Sequence, residues 1–117
     1  MKLLLAGRFD DAERDLWHEA LAAALPGHSL EHEADEAVRR EIEVAIVADP
    51  PSGVLQGLPR LRLVQSLWAG VERLLADPTL PAGVPIARMV DPALAAAMAE
   101  TALWAVLSLH RGFFGYQ

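Results

Sequence analysis

Acidic side chains stand where apolar runs of this chain give way to polar residues: Asp10 and Asp11 after Lys2 to Ala6, Asp49 after Val44 to Ala48, Asp91 after Val84 to Val90. Brought together, carboxylates of this kind hold magnesium and accept phosphoryl groups. Ser66 closes another apolar run, but it lacks the GxSxG elbow that exposes a nucleophile, so a packing or turn role is expected. The histidines are His18, His28, His32 and His110. His28 and His32 share one face of an alternating stretch with no carboxylate on that face. The ligand set for zinc is therefore incomplete, no metal is expected, and these histidines read as surface or edge-strand residues. There is no cysteine, which excludes disulfides and thiolate metal sites and is compatible with a reducing, cytoplasmic setting.

The elements that must position these groups follow from the punctuation of the chain. Lys2 to Ala6 suits a buried strand, turned by Gly7. Asp10 and Asp11 can cap a helix through about Leu25, with Leu16, Trp17, Ala20, Leu21, Ala24 and Leu25 at helical spacing; Pro26 and Gly27 stop it. His28 to Glu33 alternates as an edge strand does. Val44 to Ala48 is apolar enough to be buried on both faces. Asp49, Pro50 and Pro51 end it, and Ser52 to Leu58 is expected to form a short helix. Leu61 to Leu67 is the next strand, followed by a tight passage at Ala69 and Gly70 into a helix through Leu75, near Asp77 and Pro78. Val84 to Val90 supplies a fifth strand. Asp91 with Pro92 begins an almost wholly apolar helix reaching Leu109.

Strands alternating with helices over short connections imply a parallel α/β sheet with helices on both faces. Five strands suit a flavodoxin-like order, 2-1-3-4-5, in which ligands gather at the carboxyl ends of the strands. Those ends carry Gly7 to Asp10, Asp49 to Ser52, Trp68 to Val71 and Val90 to Pro92. The length of 117 residues fits one domain with one real core, and no repeat or linker divides it.

With 53% hydrophobic and 22% charged residues, the chain is of the folded globular class. A formal net charge of -6, with basic residues scattered, argues against nucleic acid as a partner. The opening Met1 to Ala6 imitates a signal peptide briefly, until Arg8, Asp10 and Asp11 interrupt it. The last helix approaches the length of a membrane span. Its alanine content and a central Glu100 argue for burial in protein rather than lipid. Trp17 and Trp104, on apolar helical faces, are expected in the core. Trp68 stands beside the glycine turn, where pocket lining and core packing are both open to it. Arg60 and Arg62 alternate at a strand start and are expected to solvate its rim.

The strand and glycine turn LRLVQSLWAGVERLL, the strand PIARMV and the helix start DPALAAAMAETALWAVL, in that order and spacing, resemble the D-isomer-specific 2-hydroxyacid dehydrogenases. The branch most similar is that of the glyoxylate and hydroxypyruvate reductases. The resemblance is strongest over Leu61 to Gln117, weaker over Val44 to Pro51, and architectural before that. It implies the first segment of a substrate-binding domain, residues 1 to 117, in a two-domain NAD(P)-dependent enzyme that reduces small 2-oxo acids. The glycine turn would present backbone amides to the substrate carboxylate, which places Trp68, Ala69, Gly70 and Val71 at the substrate. Amides at a helix start favour an anion, and glycine permits close approach. Three positions depart from the family pattern: Trp68 replaces a second small residue, Glu72 a frequent aspartate, and Asp49 an aromatic-histidine pair.

The family's catalytic arginine, carboxylate and histidine belong to its cofactor domain and return segment, and none can be placed here. No GxGxxG is present to meet a pyrophosphate, so no cofactor-binding or catalytic residue is assigned. The expectation is that the Rossmann cofactor domain lies beyond Gln117 and that this polypeptide alone is inactive. The resemblance also places the last helix at a dimer interface bordering the interdomain cleft. Leu94, Met98, Leu103, Val106 and Leu107 cover more than one of its faces, which implies a homodimer.

Two other functions fit parts of the pattern. The same five-stranded fold hosts phosphorylation receivers, with Asp49 as acceptor, yet the only lysine is Lys2 and proline-capped Asp91 occupies the place of the receiver lysine. A stand-alone carboxylate-binding or dimerisation module related to the dehydrogenases is the other.

Overall fold

The computed structural model describes residues 1–115. Five strands, β1 (Lys2–Gly7), β2 (Ser29–Glu31), β3 (Ile42–Ala48), β4 (Leu63–Ser66) and β5 (Ile86–Ala87), form one parallel sheet of order 2-1-3-4-5. The helices are α1 (Asp11–Ala24), α2 (Glu36–Arg39), α3 (Glu72–Leu75) and α4 (Pro92–His110), with a 3-10 turn at Phe113–Gly115. The expected α/β class and strand order are those observed.

Register explains the core. Leu4 pairs with Ala45 and Ala45 with Val64, while Ala6 pairs with Val47, so these side chains project from one face of the sheet. Leu55, Leu58, Leu61 and Leu74 close over that face from the connections. Leu4, Ile42, Val47 and Val64 are the largest fully buried side chains. Each contributes about 1.5–3 kcal/mol by leaving water. Leu3, Leu5 and Ile46 are buried on the opposite face, so the central strands are covered on both sides.

The helix expected over Ser52 to Leu58 is instead a run of turns. Gly53 and Gly57 adopt φ of +85° and +69°, which interrupts any α-helical repeat. The guanidinium of Arg39, on the unanticipated helix α2, donates to the carbonyls of Val54 and Gln56 and braces the turns from outside. Leu55 and Leu58 can then both point into the core. Strands β4 and β5 are shorter than their apolar runs, and β2 covers only the centre of its alternating stretch.

Helix α1 is capped as expected, with the Asp10 carboxylate accepting from the Glu13 amide at 2.8 Å. It packs along β2, with Trp17, His18 and Leu21 half-buried and Leu16 facing solvent. Helix α4 begins as its sequence requires, Pro92 following an Asp91 carboxylate that accepts from the Ala93 amide at 2.9 Å.

The protein expected to bury α4 is not found among the described residues, where the helix is largely uncovered. Its main packing partner among the described elements is the 3-10 turn, where Trp104 meets Phe114 edge to face at 6.2 Å. Met98, Leu103, Trp104 and Val106 are each between 60 and 62% exposed, so Trp104 is not a core residue. A 117-residue globule has a radius of gyration of about 13 Å. The observed value is 18.4 Å, with a long axis of 61 Å, because α4 projects from the sheet domain. The misreading has a physical cause: composition reports that a helix needs an apolar environment, not which polypeptide supplies it. By length and composition α4 is also the one described helix able to cross a membrane.

Candidate functional site at the carboxyl ends of the strands

The end of β4 is braced by its own last residue. Ser66 is 4% exposed, and its hydroxyl accepts from the Trp68 amide and donates to the Trp68 carbonyl, both at 3.1 Å. The Leu67 amide donates to Val47 O at 2.8 Å, and the Met89 amide to Trp68 O at 3.2 Å. Ser66 is therefore a turn brace, as its sequence context suggests, and what it holds in place is the turn Trp68, Ala69, Gly70, Val71.

These four residues lie together at the mouth of the sheet. The amides of Ala69, Gly70 and Val71 donate no hydrogen bond to protein among the described residues. Arg88, at the end of β5, donates to Ala69 O at 3.0 Å and brings a cation beside the turn. Trp68 is half exposed and lines a cleft of about 140 Å³ with Val47, Ser66, Gly70 and Leu74, which favours its pocket-lining role. Helix α3 is only one turn long, so the anion preference expected from a helix start is small here. Any attraction for an anion would come from the amides themselves and from the nearby guanidinium groups.

Glu72 opposes it. A Cβ built on Gly70 would lie 3.0 Å from Glu72 Oε2, so the glutamate folds back over the turn into the space the missing side chain leaves.

Asp49 was singled out by sequence, but its partners were not. Its carboxylate is 9% exposed and its Oδ2 meets two cations, Arg73 Nη1 at 2.8 Å and Arg8 Nε at 3.4 Å. The backbone at Asp49 has φ of 44°, a conformation that aspartate tolerates better than most residues. Gly7 pairs with Ala48 in the sheet, so the residues that follow them, Arg8 and Asp49, emerge side by side. A Cβ on Gly7 would come within 2.5 Å of Ala48 O, so only glycine allows this approach. The signal was present in the 2-1-3 strand order, which sets the ends of the first and third strands next to each other. Arg73 could not be anticipated, because its reach depends on where α3 lies.

Asp77 sits across a second cleft, of about 310 Å³, lined also by Arg8, Asp49, Ser52 and Arg73. The Thr79 hydroxyl and amide, at 2.7 and 2.9 Å, hold the Asp77 carboxyl below the usual carboxylate range, and the Ser52 hydroxyl adds a third bond at 2.9 Å. The acidic groups weighed for phosphoryl chemistry are thus separately engaged: Asp10 caps a helix, Asp11 pairs with Arg14, and Asp49 is held by arginines.

The histidines divide differently from their sequence pairing. His32 packs against His18, ring centroids 4.8 Å apart, rather than joining His28, whose Nδ1 lies 3.3 Å from the N-terminal amine. His32 Nδ1 is buried without a partner among the described residues. Burial, then the charges of His18 and Arg14, hold its imidazole below the usual histidine value. Among the described residues no three His, Asp or Glu side chains converge as a metal site. Arg62 pairs with Glu43 at 3.5 Å on the rim, the place expected for it.

A parallel five-stranded α/β sheet of order 2-1-3-4-5, with a glycine turn after β4 and a capped apolar helix after β5, defines the class: the doubly wound α/β fold that also forms dehydrogenase domains. By sequence and fold the chain is similar to D-isomer-specific 2-hydroxyacid dehydrogenases and to glyoxylate/hydroxypyruvate reductases, and it spans about a third of the length of the relatives it matches. It is 41% identical over 83 residues to glyoxylate/hydroxypyruvate reductase A of Serratia proteamaculans, covering 67% of this chain and 26% of that protein. It is 37% identical over 106 residues to the reductase A of an Enterobacter species, covering 86% of this chain and 33% of that one. A D-isomer-specific 2-hydroxyacid dehydrogenase from Xanthobacter autotrophicus, solved with NADPH and MES, superposes with a TM-score of 0.70 at 34% identity, over 92% of this chain and 35% of that one. An NADPH-dependent glyoxylate/hydroxypyruvate reductase from Sinorhizobium meliloti, solved with NADP and sulfate, gives a TM-score of 0.73 at 29% identity, over 98% and 36%. No family model matches the chain.

Proposed function

We propose that this chain is the N-terminal substrate-binding segment of an NAD(P)-dependent reductase of small 2-oxo acids, of the glyoxylate/hydroxypyruvate type. The observation that carries the reading is the turn Trp68 to Val71. Its amides at Ala69, Gly70 and Val71 donate to nothing in the described protein, and Arg88 stands alongside. Uncommitted amides with an adjacent cation suit a carboxylate, and the similarity to reductases A of that name supports a 2-oxo acid as its bearer.

The division of labour follows from what the chain contains. Its residues bind and orient the carboxylate; hydride would come from the nicotinamide cofactor. The sequence contains no GxGxxG dinucleotide loop, and the proposal assigns the cofactor to a separate domain. The purified chain should not oxidise NADPH or NADH with glyoxylate or hydroxypyruvate. Joined to a relative's cofactor domain, it should regain turnover. Measurable hydride transfer by the chain alone would overturn this division, and failure of glyoxylate to perturb the Gly70 and Val71 amides in an NMR titration would overturn the carboxylate site.

The exposed apolar surface of α4, including Leu94, Met98, Leu103, Val106 and Leu107, is the second element of the proposal. Exposure on this scale marks a surface that another polypeptide covers. A second copy of the chain and the cofactor domain are its proposed partners, in a cytoplasmic homodimer.

A further inference from the structure

We infer that Arg8 and Arg73, held on Asp49, form a second anion subsite that selects 2-oxo acids carrying a distal carboxylate. The inference rests on the glycine turn as the site of the first carboxylate. Two clefts at the carboxyl edge of the sheet share Asp49, Pro50, Arg73 and Leu74; one extends to Trp68 and Gly70, the other to Arg8 and Ser52. The shared lining makes the clefts neighbours, so a single elongated ligand can place one end at the glycine turn and the other against the outer edges of the arginines.

The chemistry of the far end suits an anion. Each guanidinium carries five N–H donors in a planar fork, and Asp49 occupies only one edge of each. Contact with Asp49 Oδ2 is through Arg8 Nε and Arg73 Nη1, which leaves both Nη of Arg8 and the Nε and Nη2 of Arg73. Their side chains are 60 and 69% exposed, and both line the second cleft. Asp49 itself is nearly buried, and its carboxylate contacts both cations. It acts as a positioning residue. Pre-organising two long side chains lowers the ordering cost that otherwise offsets a surface ion pair. The other carboxylate in that cleft, Asp77, stays ionised but accepts from Ser52 and Thr79 and pairs with neither arginine among the described residues.

The test is a titration of the isotopically labelled 117-residue chain, observing the Gly70 and Val71 amides and the Arg8 and Arg73 Nε–H groups. Oxaloacetate and 2-oxoglutarate are compared with 2-oxobutyrate and 2-oxopentanoate, matched in carbon number. At least one dicarboxylate should bind about tenfold more tightly than its matched monoacid and shift both sets of signals. R8Q and R73Q, each at an exposed side chain, should reduce that ratio to below about threefold without unfolding the chain. Shifts at Gly70 and Val71 with no preference for the dicarboxylates would overturn the subsite and leave the glycine-turn reading standing. A preference that persists in both variants would also overturn it. Absence of shifts at Gly70 and Val71 with every acid would remove the glycine-turn reading and this inference with it.

Discussion

Arg73 and Asp49 are joined at 2.8 Å across the carboxyl edge of the sheet, one from the short helix after β4 and the other from the end of β3. With Arg8 the contact ties three connections into one surface beside the glycine turn. Asp49 is the common member, so its substitutions separate charge from backbone shape. Asp49→Asn keeps a residue that tolerates positive φ and removes the charge, for a loss of about 1 kcal/mol. Asp49→Val adds a β-branched side chain at φ of 44° and should lose roughly 1–2 kcal/mol more. Urea denaturation of the two variants measures both; equal stability would show that the backbone there is not constrained.

Ser66→Ala leaves the Trp68 amide and carbonyl without the hydroxyl that serves both. Loss of this buried brace should cost about 1–3 kcal/mol and broaden the Gly70 and Val71 amide signals. Ser66→Thr, which keeps the hydroxyl, should retain most of the order. Unchanged spectra for the alanine variant would remove Ser66 from any part in shaping the site.

Glu72 places its carboxylate over Gly70, where it repels an incoming anion. Glu72→Gln should therefore tighten glyoxylate binding about two- to fivefold, with the gain shrinking in high salt as screening removes the repulsion. Weaker binding in the glutamine variant would mean that the carboxylate helps to order the turn.

His32 makes stability depend on pH. Its imidazole titrates below the usual value when folded, chiefly because of burial, whereas the unfolded chain titrates at about 6.5. The unfolded state then binds more protons in that interval. The contribution of His32 is fully present above about pH 6.5 and is lost as pH falls through the lower folded value. His32→Phe should flatten this part of the denaturation midpoint against pH, and a slope that survives the substitution would assign it elsewhere.

Helix α4 should drive self-association. In sedimentation at micromolar concentration the chain should be a dimer, and replacing both Leu103 and Leu107 by glutamate should shift it to monomer while the sheet stays folded. A wild-type monomer would overturn the proposed homodimer. Because α4 is also long enough to cross a bilayer, flotation of the chain with neutral lipid vesicles would point instead to a membrane.

Much of the fold is legible before any coordinates. Asp10 and Asp91 announce helix starts, and Val44 to Ala48 is a strand because nothing in it needs water. The glycine turn is legible as well, since Ala69 and Gly70 follow a strand and precede a helical pattern. Ser52 to Leu58 is not, because its apolar spacing fits a helix while Gly53 and Gly57 take φ values that end one. Trp104 misleads for another reason, being apolar in a helix whose cover is not within the described residues.

The sequence by itself determined the parallel α/β class and the helix caps, which follow from local hydrogen bonding and alternation; the strand order followed from the fold type those elements imply, and the family resemblance from three motifs in order. Only the tertiary structure decided that Asp49 is shared by Arg8 and Arg73, that His32 meets His18 rather than His28, and that α4 stands away from the sheet. Those relationships join residues distant in the chain, and they depend on the placement of connections and surfaces that local propensity does not encode.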